Sequence, residues 1–185
     1  WAKDKTDPLA AIRAEEVVKE MWDKHDNQGY RRLAPDIVSY GSLIDAWAKS
    51  ARPEAGPKAE AILREMWVLS SKGRPKLRPN KISYNGVINA WAKSNSPKAP
   101  DGATHVLQEM WAKFDSGDTS LAPDEVSYHS VIDAWKKSGR PDAEEKAERF
   151  RQEMNQKIPL RRNKQPVRAT RPATNQQASS GSSYK

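Results

Sequence analysis

Three markers recur in this chain with one period. Pro35-Asp36, Pro79-Asn80 and Pro123-Asp124 are 44 residues apart, and so are Trp47, Trp91 and Trp135. Met21, Met66, Met110 and Met154 follow at 45, 44 and 44. A period of this size restricts the chain to a stack of like units, because one short unit cannot bury its own apolar face and must borrow a wall from its neighbour. The stretch "SYGSLIDAWAKS" at 39–50 returns as "SYNGVINAWAKS" at 83–94 and as "SYHSVIDAWKKS" at 127–138. Most of the frame is kept. The residue after the Tyr varies, as Gly41, Asn85 and His129.

Each unit carries two helical patterns. Tyr40, Leu43, Ile44 and Trp47 fall at i, i+3, i+4 and i+7, one face of a helix. Tyr84, Val87, Ile88 and Trp91 repeat it, as do Tyr128, Val131, Ile132 and Trp135. The second pattern is Ala59, Ile62, Leu63 and Met66, matched by Ala14, Val17, Val18 and Met21 and by Ala103, Val106, Leu107 and Met110. In the last copy Arg151 takes a core position, as suits a terminal helix with one face in water. Asp36, Asn80 and Asp124 stand where N-caps belong, and Asp7-Pro8 has the form of a helix start. "SARPEAGP", "SNSPKAPDG" and "SGRPDA" read as breaks within a pair, and no stretch alternates like a strand. The expected fold is all-α, a solenoid of stacked helix–turn–helix repeats with a disordered C-terminal tail. The expected divisions are a truncated first repeat (1–36), repeats at 37–80 and 81–124, a last repeat at 125–156 and a basic tail at 157–185.

Trp1-Ala2-Lys3 matches Trp47-Ala48-Lys49, so the opening residues read as the end of a first helix. The Val17, Val18 and Met21 stripe is therefore expected to be partly unpaired, and any targeting segment to lie upstream. The net charge of +8 is concentrated at the other end. From Asn155 onward there are seven basic residues and no acidic one, which leaves +1 for residues 1–154. Bulk charge alone thus does not mark the repeat body as a phosphate binder. With no Cys, disulfides and thiolate metal sites are excluded. His25, His105 and His129 have no ligand spacing, and neither a phosphate loop nor a nucleophile motif is present. Glu15-Glu16 and Glu144-Glu145 read as solvated helix faces, and no cofactor, metal or small-molecule substrate is expected.

The unit "PDIVSYGSLIDAWAKS…KAEAILREMW…G…LRPN" resembles the pentatricopeptide repeat, in every copy across about residues 1–156. The matching parts are the Pro-Asp/Asn junction, Ser-Tyr, Ile-Asp/Asn-Ala-Trp, the Lys-Ser end, the Ala-led second helix closing on Met, and the later Gly. This unit is longer than the family's, and both insertions fall in loops, where length costs little. The resemblance implies binding of single-stranded RNA at one base per repeat, in transcript processing, stability or translation in a mitochondrion or plastid. The implied partners are that RNA and other organellar RNA-processing proteins, with no membrane.

The resemblance also implies site residues. The base edge would be read by the residue after the Tyr with the one that closes the unit: Gly41 with Asn80, and Asn85 with Asp124, the latter pair for uracil. His129 would open a third pair whose closing residue falls near Arg168, and Asp36 would close the first unit. Val38, Ile82 and Val126 would sandwich bases, and Lys3, Lys49, Lys93 and Lys137 would face phosphates. Simpler roles exist for each: N-capping for Asp36, Asn80 and Asp124, helix-end packing for the aliphatics, and the helix dipole for the lysines. Trp47, Trp91 and Trp135 are expected in the core, and Trp22, Trp67 and Trp111 at contacts between units, not in base stacking. The rival reading is a helical-repeat scaffold for protein partners, with a basic tail that touches RNA nonspecifically. An enzyme, nuclease or editing, would need sequence outside this chain.

Overall fold

The computed structural model describes residues 9–164, with side chains as far as Pro159. Lys3, the Asp7-Pro8 start, Arg168 and most of the expected tail lie outside these residues. Seven α-helices follow in order, with no strand among the described residues: α1 (Ala10–Asp26), α2 (Ile37–Ser50), α3 (Ala55–Ser71), α4 (Lys81–Lys93), α5 (Ala99–Asp115), α6 (Glu125–Lys137) and α7 (Ala143–Lys164). The helices α2, α4 and α6 pack against one another in series. Each also packs against the helix before it and the helix after it.

The side-chain period explains this arrangement. All twelve residues of the three first-helix stripes, from Tyr40 to Trp135, are buried in one continuous core. They meet Ile62, Leu63 and Met66 of α3 and Val106, Leu107 and Met110 of α5. Between pairs, Gly73 and Gly117 take positive φ (92° and 108°) and release the chain into a short 3-10 turn. That turn buries Leu77 in one copy and Leu121 in the next. At the N-terminal end the same positions are open. Val17 is 54 % exposed where Ile62 and Val106 are buried, and Leu33 is exposed where Leu77 and Leu121 are buried. The partly unpaired first stripe is thus present, although Val18 itself is buried.

Two boundaries differ from the sequence reading. The helix α7 continues past Lys157 to Lys164, so residues 157–164 are helical and do not belong to a disordered tail. Its apolar stripe runs on through Met154 to Ile158, which joins the core. In addition, the breaks at "SARPEAGP" and "SNSPKAPDG" are shorter than they read. α3 starts at Ala55 and α5 at Ala99, which brings Gly56 and Gly102 into first turns. The ring of Trp91 lies beside both: a Cβ would come within 2.2 Å of it at Gly56 and 2.4 Å at Gly102.

α2 ends on Ala51 at φ 51°, in the left-handed region. Two periods later Gly139 holds the same position at φ 64°. Ala51→Gly is expected to stabilise the chain by about 0.5–1 kcal/mol, because a Cβ is unfavourable in that conformation. A rise in the urea midpoint with an unchanged m-value would register it, and a fall would contradict it.

A further regularity, which the sequence periods alone do not reveal, runs through the core. The indole N–H of Trp22 donates to the hydroxyl of Tyr40 (3.0 Å), which donates to Glu65 (2.7 Å). Trp67, Tyr84 and Glu109 repeat the relay at 3.0 and 2.6 Å, and Trp111, Tyr128 and Glu153 at 2.8 and 3.0 Å. Each relay starts on one second helix, crosses the following first helix and ends on the next second helix. Burial pushes all three tyrosine hydroxyls well above the usual range, so each stays protonated and able to donate. Trp22, Trp67 and Trp111 therefore do join successive units. The glutamates were legible as Glu65-Met66, Glu109-Met110 and Glu153-Met154, one acid before each period-marking Met. Glu15, read from sequence as solvated, is a correction of the same kind. It accepts the Trp47 indole N–H at 3.0 Å and pairs with Lys58 at 3.2 Å.

Candidate nucleic-acid interface

The N-terminal halves of α2, α4 and α6 form one side of the stack. Asp36 caps α2 through the N–H groups of Val38 (3.0 Å) and Ser39 (2.9 Å). Asn80 caps α4 and Asp124 caps α6, each through the N–H group three residues on. All three junction residues are therefore N-caps. Capping also fixes where the next turn of each helix points.

That turn presents Val38, Ile82 and Val126, which are 69 %, 75 % and 58 % exposed. None of the three packs onto a helix end. They line an open groove of about 740 Å³ together with Gly41, Asn80 and Asn85. A Cβ at Gly41 would meet nothing within 4 Å, so this helix position faces free space. At Gly86, in contrast, a Cβ would come within 2.9 Å of Ile44, which lets α4 approach α2 closely beneath the groove.

Asn85 and Asp124, 39 residues apart, are in contact. The amide Nδ2 of Asn85 donates to Asp124 Oδ1 at 3.2 Å, and the Ser127 hydroxyl donates to Asn85 Oδ1 at 2.6 Å. Lys81 holds the other carboxylate oxygen of Asp124 at 2.8 Å. Burial alone would push the Asp124 carboxyl up. Lys81, Asn85 and the Ser127 N–H together outweigh it and hold the carboxyl below its usual value. Gly41 and Asn80 line the same groove but can form no side-chain pair. His129 is exposed on α6, and the expected partner near Arg168 lies outside the described residues.

The C-terminal ends of the same helices build a second groove, of about 750 Å³. Lys49, Lys93 and Lys137 line it together. Lys49 is paired with Asp45 at 2.7 Å in the helix α2. Lys93 and Lys137 have no ion pair among the described residues. Three lysines in register on one face concentrate positive charge locally on a body whose net charge is small. The described residues contain no cluster of acids and histidines that could hold a metal ion, and no helix among them is long and apolar enough to cross a membrane.

The six tryptophans among the described residues stand apart from both grooves. Trp47, Trp91 and Trp135 are buried, and Trp22, Trp67 and Trp111 are half-buried in the relays. Comparison with family models, curated proteins and solved structures gives no match to the chain.

Proposed function

We propose that the chain is an α-solenoid of pentatricopeptide-type repeats that binds single-stranded RNA along the face of α2, α4 and α6. On this reading it is a binding module, not an enzyme, for transcripts of a mitochondrion or plastid, alongside other RNA-processing proteins. One observation carries the reading. Large aliphatic side chains recur at 44-residue intervals with more than half their surface in water, around a groove that also holds Gly41 and Asn85, two copies of the variable position after the Tyr. A fold gains nothing from three such side chains in register, whereas a flat base stacked between neighbouring aliphatics would cover them. Asn85 and Asp124 would meet the base edge there, and Lys49, Lys93 and Lys137 would follow the phosphates in the parallel groove.

The test is a fluorescence-anisotropy titration of labelled single-stranded RNA over a range of salt. Lys49→Ala, Lys93→Ala and Lys137→Ala combined are expected to weaken binding to all sequences and to flatten the log–log salt slope by roughly 2, at about 0.7 per phosphate contact on a single strand. An unchanged slope would remove these lysines from the phosphate track. If a chain that ends at Lys164 lost all affinity, equally for every sequence, the scaffold with a basic tail would be the better description.

A further inference from the structure

We propose that the cavity between the first two inter-unit loops is a binding site for a phosphate monoester, held by Arg31, Arg32, Arg74 and Lys76. Two sources carry that group: the terminal phosphate of a nucleic-acid strand and a free nucleoside monophosphate. The assignment holds whether or not the groove binds RNA.

The cavity encloses about 540 Å³ beside Trp22, on the scale of small-ligand sites. One wall is the loop after α1, with Arg31 and Arg32, and the other is the loop after α3, with Arg74 and Lys76. Arg74 is fixed in place. Its guanidinium lies 3.8 Å over the Trp22 ring, and its Nη2 donates to Asp26 at 3.0 and 3.3 Å. The hydrogens on Nε and Nη1 have no acceptor among the described residues, so part of a rigid donor fork is left over. Arg31, Arg32 and Lys76 are exposed, and their side chains have no hydrogen-bonding or ionic partner among the described residues. Asp36 is the one carboxylate of the lining, and it already accepts from the Val38 and Ser39 N–H groups as the cap of α2. Four cations against Asp26 and Asp36 leave a net +2 with His25 neutral.

Like charges gathered in this way repel one another, and a bound anion relieves them. A phosphate monoester carries about −1.5 to −2 at pH 7 on three acceptor oxygens, and so matches the excess. A diester inside a strand has a single charge and one fewer free oxygen. The next unit shows the contrast. Its matching cavity, of about 520 Å³ beside Trp67, has Asp118 and Ser120 at the registers of Arg74 and Lys76. Both of its cations are paired, Arg78 with Asp118 at 2.7 Å and Lys113 with Glu109 at 3.7 Å. The two loops fold alike, so the unmatched charge of the first cavity is not needed to build it. Asp36 lines this cavity while its neighbours Ile37 and Val38 line the groove of α2, α4 and α6. The end of a strand in that groove is thus brought beside the four cations.

The experiment titrates the full chain by calorimetry with inorganic phosphate and with uridine monophosphate, at constant ionic strength balanced by chloride. Both are expected to bind. Arg31→Gln combined with Lys76→Gln should weaken both by at least about tenfold, the scale of losing hydrogen bonds from charged groups. Neither residue has a partner to lose, so this variant should melt no lower than the wild type. Lys98→Gln combined with Lys136→Gln removes the same charge from exposed positions at the other edge of the stack, and should change affinity by less than about twofold. A wild type that binds neither compound overturns the inference. So does an equal loss in the two double variants, which would reduce the effect to bulk charge. One labelled RNA oligonucleotide with a 5′-phosphate, a 3′-phosphate or neither then identifies the source. Tighter binding of one phosphorylated form, lost in the Arg31 and Lys76 variant, supports a strand end. Equal binding of all three forms, with uridine monophosphate still bound, supports a free nucleotide. A chain that binds the oligonucleotides but neither small compound overturns the phosphate site and leaves the RNA-binding reading. A chain that binds only the small compounds does the reverse.

Discussion

Trp91→Ala is expected to cost the chain about 3–5 kcal/mol of stability, the range for removing a buried Trp and leaving a cavity. The residue sits on α4, which packs against α2, α3, α5 and α6. Its ring lies against the first turns of both α3 and α5, and its indole N–H donates to Glu60 at 3.2 Å. Loss of the ring therefore opens the contact with α3 of the preceding unit and the contact with α5 of its own unit, and it removes one donor from Glu60, which keeps its pair with Arg64. Where repeats contact only their neighbours, stability is close to a sum of unit and interface terms, so a residue that serves both a unit and its interface weighs most. Trp47→Ala should cost less, because the unit before it is incompletely walled, as the exposed Val17 shows. Urea titrations of the two variants give the comparison directly. A loss below about 1 kcal/mol for Trp91→Ala would mean that the ring is not a structural wedge.

Much of this core was legible in the chain because helical spacing and the 44-residue period select the same residues. Tyr40, Leu43, Ile44 and Trp47, with their two later copies, are core by either criterion. The caps were equally plain, since Asp and Asn after Pro and before an apolar stripe have few other uses. Less legible were residues whose role depends on a partner from another unit. Glu65, Glu109 and Glu153 look like solvent-facing acids until a tyrosine 25 residues earlier is known to point at them. The end of α7 is less legible, because the stretch after Met154 is polar and carries Pro159, with only Ile158 and Leu160 to continue an apolar stripe. For the site, the period placed Val38, Ile82 and Val126 in register. It could not tell whether they packed on a helix end or stood in water, because that depends on how closely α2, α4 and α6 approach. Lys81 is not legible for a related reason: only the fold brings it to the carboxylate of Asp124.

Gly56→Ala and Gly102→Ala are expected to destabilise the chain, against the usual direction of such changes. In an unconstrained helix position, Gly→Ala gains about 1 kcal/mol. Here the new Cβ would lie 2.2 Å from the Trp91 ring at Gly56 and 2.4 Å at Gly102, closer than any ordinary contact. The ring is held between the two glycines and cannot retreat from one without pressing on the other. The neighbouring units solve the same packing problem differently. Lys58 stands at the register of Gly102 and places its ammonium 5.2 Å over Trp47, while Lys146 does the same 5.9 Å from Trp135. Overpacking of this kind costs about 1–3 kcal/mol, so each variant should fall below wild type. Gly41→Ala supplies the opposite control. Its Cβ meets open space, and it should rise by up to about 1 kcal/mol. A double-mutant cycle identifies the cause: in a Trp91→Leu background the penalty for Gly56→Ala should shrink or reverse, because the smaller side chain leaves room for the methyl group. A penalty of the same size in both backgrounds would place the strain in the first turn of α3 itself and not in its contact with the indole.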